Sequence, residues 1–228
     1  MNKEVKIGLA AAGIIVILLA ALAGLDYWME QRKIVKEKDP NLTQEERAIY
    51  EERLATAREM INNPDLNDSQ RFDWYMQQGF QLYGLGKLAE ASDSYKEALK
   101  FRPEDPNAYV ALYAVQLDMQ DNDSALKNIQ KAVELKPTDP DIWKKYILIQ
   151  KERFGVAGQE LNDLYLQALE KTLNNVDINT AYAVHLEQVG NLQAAMEYWQ
   201  KAAELNPSAR PLYEIEIKRL DEAIKAQG

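Results

Sequence analysis

Two patterns of apolar positions divide the chain. From Ile7 to Leu25 there are 19 consecutive residues without a charge, ten of them Leu, Ile or Val. As a helix rising about 1.5 Å per residue this run reaches roughly 28 Å, the depth of one bilayer core. Its Leu, Ile and Val residues would gain on the order of 3 to 6 kcal/mol on insertion, before the Ala and Gly residues dilute the sum. Tyr27 and Trp28 follow directly and suit the headgroup layer. From Thr43 onward the apolar residues instead recur at helical spacing among charged ones. Thr43 with Glu46 forms a capping-box pattern, and Ile49, Leu54, Ala57, Met60 and Ile61 place a stripe on the helix that follows, which Asn62, Asn63 and Pro64 end.

The first run predicts a retained anchor. The alternative is a cleaved signal peptide, with Met1 to Lys6 as its charged start and Ala21-Leu22-Ala23 as a small-residue cleavage site before Gly24. Against cleavage, the apolar run continues through Leu25 without the more polar stretch that usually precedes the cut. Lys3 and Lys6 lie before the run and Arg32, Lys33, Lys36 and Lys38 after it, so the basic count leans toward a cytoplasmic C-terminal domain. A short basic tail before a first helix instead fits a signal-anchor whose long remainder is exported. The exported face is the expectation, with the cytoplasmic face as its alternative.

Slid against itself, the remainder shows a period of 34. Ala91 and Ala125, Tyr95 and Ile129, Ala98 and Ala132, and Pro103 and Pro137 are each 34 apart, and Tyr75, Tyr109 and Trp143 recur at the same interval. Ala132, Ala168 and Ala202 are separated by 36 and then 34, as are Ile129, Tyr165 and Trp199. The third unit therefore carries two extra residues, assigned to a turn near Phe154-Gly155-Val156-Ala157-Gly158.

These residues resemble the tetratricopeptide repeat (TPR) family: an aromatic and a small residue on a first helix, then Gly86, Ala91, Tyr95, Ala98 and Pro103, echoed by Ala125, Ala132 and Pro137 and by Gly190, Ala195, Trp199, Ala202 and Pro207. The resemblance covers about Phe72 to Pro207. It implies an all-α fold, an α-solenoid of stacked helix-turn-helix repeats, here preceded by one N-terminal transmembrane helix. Alanines allow close helix crossing, aromatics fill the space between repeats, and proline forces the next hairpin to begin. The expected organisation is an anchor or signal peptide at 1–25, a juxtamembrane linker at 26–43 and an amphipathic helix at 44–62. Four repeats follow within 69–207, at about 72–105, 106–139, 140–175 and 176–209, with a C-terminal capping helix at 210–228. On that last helix Leu212, Tyr213, Ile217, Leu220 and Ile224 lie on or near one face. The small site filled by Gly79 becomes Tyr113 and Ile147, and the expected alanine of the third repeat is Leu161, which predicts altered spacing in repeats two and three.

Composition removes several functions. With 27 basic and 36 acidic side chains, a net charge of -9 and a pI near 4.9, the chain is ill suited to nucleic acid, whose binding rests on clustered Lys and Arg. No cysteine means no disulfide, thiolate nucleophile or Cys-based metal site. His185 is the sole histidine and reads as a partly buried helical residue rather than a ligand. Gly84-Leu85-Gly86-Lys87 lacks the spacer and hydroxyl of a phosphate loop and sits where a hairpin turn belongs. Asp118, Asp121 and Asp123 lack the spacing of a calcium loop and read as helix-end and capping residues. The sequence therefore predicts no enzyme, no cofactor and no small-molecule substrate.

What remains is a binding surface. The resemblance places Met76, Phe80 and Tyr83, then Val110, Ala114 and Leu117, then Lys144, Leu148 and Lys151, and finally Thr180, Val184 and Glu187 on a concave wall formed by the first helix of each repeat. This wall grades from apolar to charged, complementary to a peptide with a hydrophobic anchor at one end and an acidic patch facing Lys144 and Lys151. Met76, Phe80 and Tyr83 could alternatively pack against the helix at 44–62. The expected role is a membrane-anchored scaffold or adaptor that holds a protein or peptide partner, in assembly of envelope proteins or complexes of a bacterium, with the bilayer engaged through the N-terminal helix. The alternatives are an accessory factor presenting substrates to a membrane maturation system such as cytochrome c biogenesis, and a cleaved, exported soluble adaptor.

Overall fold

The computed structural model describes residues 41–227, so the apolar run at 7–25 and nearly all of the linker lie outside the described residues. Among the described residues there are ten α-helices and no helix long and apolar enough to cross a membrane. Helix α1 (Gln44–Ile61) is followed by four hairpins: α2 (Asp68–Gly84) with α3 (Leu88–Phe101), α4 (Pro106–Asp118) with α5 (Asn122–Leu135), α6 (Pro140–Phe154) with α7 (Gly158–Lys171), and α8 (Val176–Gln188) with α9 (Leu192–Leu205). A short 3-10 turn, Pro207–Ala209, leads into α10 (Arg210–Gln227).

Most of the helices start where the sequence supplies a cap, α3 and α7 being exceptions whose N-cap residues, Lys87 and Ala157, make no side-chain cap bond. Thr43 and Glu46 form a reciprocal capping box at α1, and Asn67 with Gln70 repeats the device at α2. Asp105 and Asp139 each accept two backbone N–H bonds, with proline at the first helical position of α4 and α6. Asp121 caps α5, and Asp118 ends α4.

The 34-residue recurrence has a direct physical basis. Ala91, Ala98, Ala125, Ala132, Ala168, Ala195 and Ala202 are fully buried, each at a position where a larger side chain would hold two helices apart. The recurring aromatic does more than fill space. The Tyr109 hydroxyl donates to the Pro103 carbonyl at 2.9 Å, and the Trp143 indole N–H donates to the Pro137 carbonyl at 2.7 Å. The second and third repeats thus fasten their first helices to the proline turns they have just left. Tyr75, with no such proline before it, stacks on Phe101 with ring centroids 5.8 Å apart.

The first hairpin is the tightest. A Cβ added to Gly79 would lie 2.5 Å from Cε1 of Tyr95, so only glycine lets α2 cross α3 at this distance. In the second hairpin the equivalent residue, Tyr113, is buried and turns its hydroxyl toward the Lys145 carbonyl of the next hairpin, and α4 still lies close to α5. The expectation of altered spacing thus fails for repeat two. It succeeds for repeat three, where Ile147 and Leu161 replace small residues and α6 and α7 approach each other far less closely than the helices of the other hairpins. Gly155, at φ 69°, ends α6 in the left-handed conformation that an L side chain resists.

The core follows this division. Leu54 of α1 packs with Leu82, Leu85, Leu88, Tyr95, Leu112 and Val115. Helix α6 sends Ile142 and Ile149 into a second cluster with Ile129 and Tyr113, and Trp143 and Ile147 into a third that continues through Tyr165, Ile178, Leu186 and Leu220. On α10, Leu220 is fully buried and Tyr213 meets Trp199 at 6.0 Å, whereas Leu212 points away and is exposed. Leu212 therefore does not belong to the packed face to which its sequence spacing assigned it, because that face starts one residue later, at Tyr213.

Candidate functional site

The first helices α2, α4, α6 and α8 carry the residues expected on the binding wall, and their side chains take three kinds of place. Met76 is half-buried against the cluster that contains Leu54, so it packs toward α1. Tyr83 is tied to α4, its hydroxyl donating to Asp118 at 2.7 Å; burial first, then the Asp118 carboxylate, push its phenol up to about 12. Val110, Ala114 and Leu117 are half-buried against the second cluster. Phe80, Leu148 and Val184, in contrast, remain exposed.

Those exposed residues lie beside clefts between successive elements. Phe80 lines one of about 290 Å³ with Arg53 and Thr56 of α1 and Trp74 and Gln77 of its own helix. Leu148 and Leu117 share a second, of about 270 Å³, with Tyr113 and Glu152. A third, of about 580 Å³, lies between α6 and α8 and brings together Lys144, Lys151, Thr180 and Val184, four of the residues named from the sequence.

Two expectations about charge are corrected here. Lys144 is not a free cation: it pairs with Asp141 at 2.7 Å and reaches Asp177 at 3.7 Å, and hydrogen bonding to Asp141 raises its pKa. Glu187 is not free either, its side chain being only 19% exposed. It accepts the Trp199 indole N–H at 2.7 Å and pairs with Arg219, joining α8 to α9 and α10. The reason is register, since one turn past Val184 a side chain reaches the next hairpin rather than the open face. The Lys151 ammonium donates to the Gln188 side-chain oxygen at 3.1 Å.

Sequence reasoning missed the floor of this cleft. His185 is 4% exposed rather than partly buried, and neither ring nitrogen has a hydrogen-bond partner. Its ring stacks on Tyr165, with centroids 5.3 Å apart and planes 20° from parallel, and lies 6.3 Å from Tyr182. Burial, and then the Lys151 charge, lower its pKa below that of an ordinary imidazole. The only signal in the sequence was its position next to Val184 in the repeat register.

Comparison with known proteins agrees with this architecture. Residues 79–120 match the family model of the TPR repeat. A stretch of 61 residues, 27% of this chain, is 39% identical to the Cell division cycle protein 27 homolog of Caenorhabditis elegans; it corresponds to 8% of that protein, so the chain covers less than a tenth of this relative. The crystal structure of MamA superposes with a TM-score of 0.55 at 15% identity, over 71% of this chain and 91% of MamA. PilF of Pseudomonas aeruginosa gives 0.53 at 20% identity, over 70% of this chain and 71% of PilF. YrrB, described as a TPR protein with an unusual peptide-binding site, gives 0.51 at 19% identity, over 75% of this chain and 84% of YrrB. At such identities the likeness is one of fold alone, and fold does not by itself assign a function. The chain thus carries a TPR repeat at residues 79–120 within an all-helical, TPR-like solenoid.

Proposed function

We propose that this chain is a membrane-tethered scaffold that seats a protein partner along the wall formed by α2, α4, α6 and α8. One observation carries the reading. Phe80, Ala114 and Leu148 are 34 residues apart and Val184 follows after 36, so all four hold one register of successive first helices. The three large ones are 53, 54 and 44% exposed. Apolar side chains exposed at a repeated register form a row that an extended or helical segment can cover.

Tethering is supported by the uncharged run from Ile7 to Leu25, with Tyr27 and Trp28 at its end. On this reading the repeat domain is exported and recruits a protein or assembly intermediate to the membrane surface. Intact mass of the protein extracted from membranes, with protease accessibility from each side, tests the tether. A mass beginning at Gly24 would disprove it.

Binding is tested in the full-length protein with a photo-crosslinking residue placed at Leu148 or Val184, or at the exposed Lys127 of α5 as a control. The expected result is one partner band from the first two sites and none from the control. Equal labelling at all three would sink the wall as a binding face.

A further inference from the structure

The α6–α8 cleft differs from the rest of the wall in chemistry, and the difference specifies what can enter it. Its Lys151 ammonium meets a neutral amide oxygen, with no carboxylate within salt-bridge distance among the described residues. Of the two ammonium groups in the cleft lining, Lys144 is already held by Asp141 and Asp177, which leaves Lys151 as the one that an incoming carboxylate can pair with. Behind Lys151, both nitrogens of the buried His185 ring are unpartnered. A buried polar group without a partner forgoes a hydrogen bond that an incoming group can supply.

Resting on the wall reading above, we propose that the cleft is a subsite for an Asp or Glu side chain within an acidic, partly apolar segment of the partner, paired with Lys151 and hydrogen-bonded to the imidazole of His185. The partner's apolar neighbours would then lie on Leu148 and Val184. Lys151, Gln188 and His185 line the same cleft, and because the ring nitrogens are buried, a carboxylate reaching them requires the lining side chains to give way.

The subsite makes binding proton-linked. The groups facing His185 are Lys144 and Lys151 from α6, Tyr165 from α7, Asp177 and Tyr182 from α8, and Tyr198 of α9 behind Tyr182. In the free protein, burial and Lys151 favour the neutral ring. A bound carboxylate offsets the Lys151 charge and favours the imidazolium, so binding takes up a proton. Affinity therefore rises as pH falls through the range in which the bound ring takes up its proton, and is lost again at lower pH as the partner's own carboxylate protonates.

The test uses the full-length chain in detergent and peptides of about a dozen residues selected on it from a random display library, their contact with the wall established by sensitivity to Leu148→Ser. The selected sequences should be enriched in Asp and Glu. Replacing that acid by its amide should weaken binding about tenfold, and Lys151→Gln should cost a similar factor that is not added to the first. His185→Gln should flatten the pH dependence. Because His185 is the only histidine, its ring proton resonance gives a readout in the unmodified protein, and its pKa should rise when peptide binds. Peptides that depend on Leu148 but not on their acid, on Lys151 or on pH would overturn the subsite and leave the wall standing. Peptides indifferent to Leu148 as well would overturn both.

Discussion

The indole N–H of Trp143 donates to the Pro137 carbonyl at 2.7 Å across the turn that separates the second and third hairpins. Tyr109 makes the same bond to Pro103 with a hydroxyl. Two different side chains reaching equivalent carbonyls imply that the bond, and not only the ring, fixes the angle between repeats. Trp143→Phe keeps a ring and deletes the donor, so it should cost about 1 kcal/mol, while Trp143→Ala should cost about 3 to 5 through the cavity it leaves. Denaturant midpoints of the two variants separate these terms.

Gly79→Ala tests the close crossing of α2 and α3. The added methyl would meet the Tyr95 ring at 2.5 Å, and that ring is buried, with little room to swing aside. A loss of about 1 to 3 kcal/mol is expected, read as a lowered melting temperature. Combining it with Tyr95→Leu should recover part of the loss, since the two changes share one space. Simple addition of the two effects would show that the strain is relieved elsewhere.

Glu187 joins three helices, so Glu187→Ala should loosen the C-terminal end selectively. The change strands the Trp199 N–H and releases Arg219, at a cost of about 1 to 3 kcal/mol. Hydrogen exchange should accelerate in α10 and leave α2 and α3 unchanged. Uniform acceleration would mean that the stack unfolds as one unit.

Tyr83 predicts an alkaline limit to stability. Its phenol is raised from 10.0 to about 12 in the folded chain, so the folded state holds this proton more tightly than the unfolded one. Its contribution is complete below about pH 10 and is lost as pH rises toward 12. Tyr83→Phe should abolish that segment of the stability profile. An unaltered profile would place the alkaline transition on Tyr95 or Tyr165, whose phenols burial also raises.

The fold was legible because its repeat is written in residues whose identity geometry dictates. A buried alanine at a helix crossing, a proline after the second helix and an aromatic facing it recur because no other arrangement fits, and they appear in the sequence as a period. The candidate site was legible only by register. The resemblance placed Leu148, Val184 and Lys151 on the wall, but register alone could not show that Lys144 reaches Asp177, nor that Glu187 turns toward Arg219. Those two contacts come from residues 33 and 32 positions away, whose approach is a property of the stack. His185 illustrates the remainder, since burial of both its nitrogens follows from the stacking of Tyr165 and Tyr182 around it and not from any local pattern.

The widened third hairpin has a consequence for what can lie along the exposed row. Ile147 and Leu161 are buried between α6 and α7 and hold those helices farther apart than the helices of the other hairpins, while the core runs on through this point to Leu186 and Leu220. Leu148 and Val184 are 36 residues apart where Phe80, Ala114 and Leu148 are 34 apart. A segment matched to the even step of the first hairpins would therefore not sit equally well on the last two, so a partner that covers the whole row must be built for the uneven one.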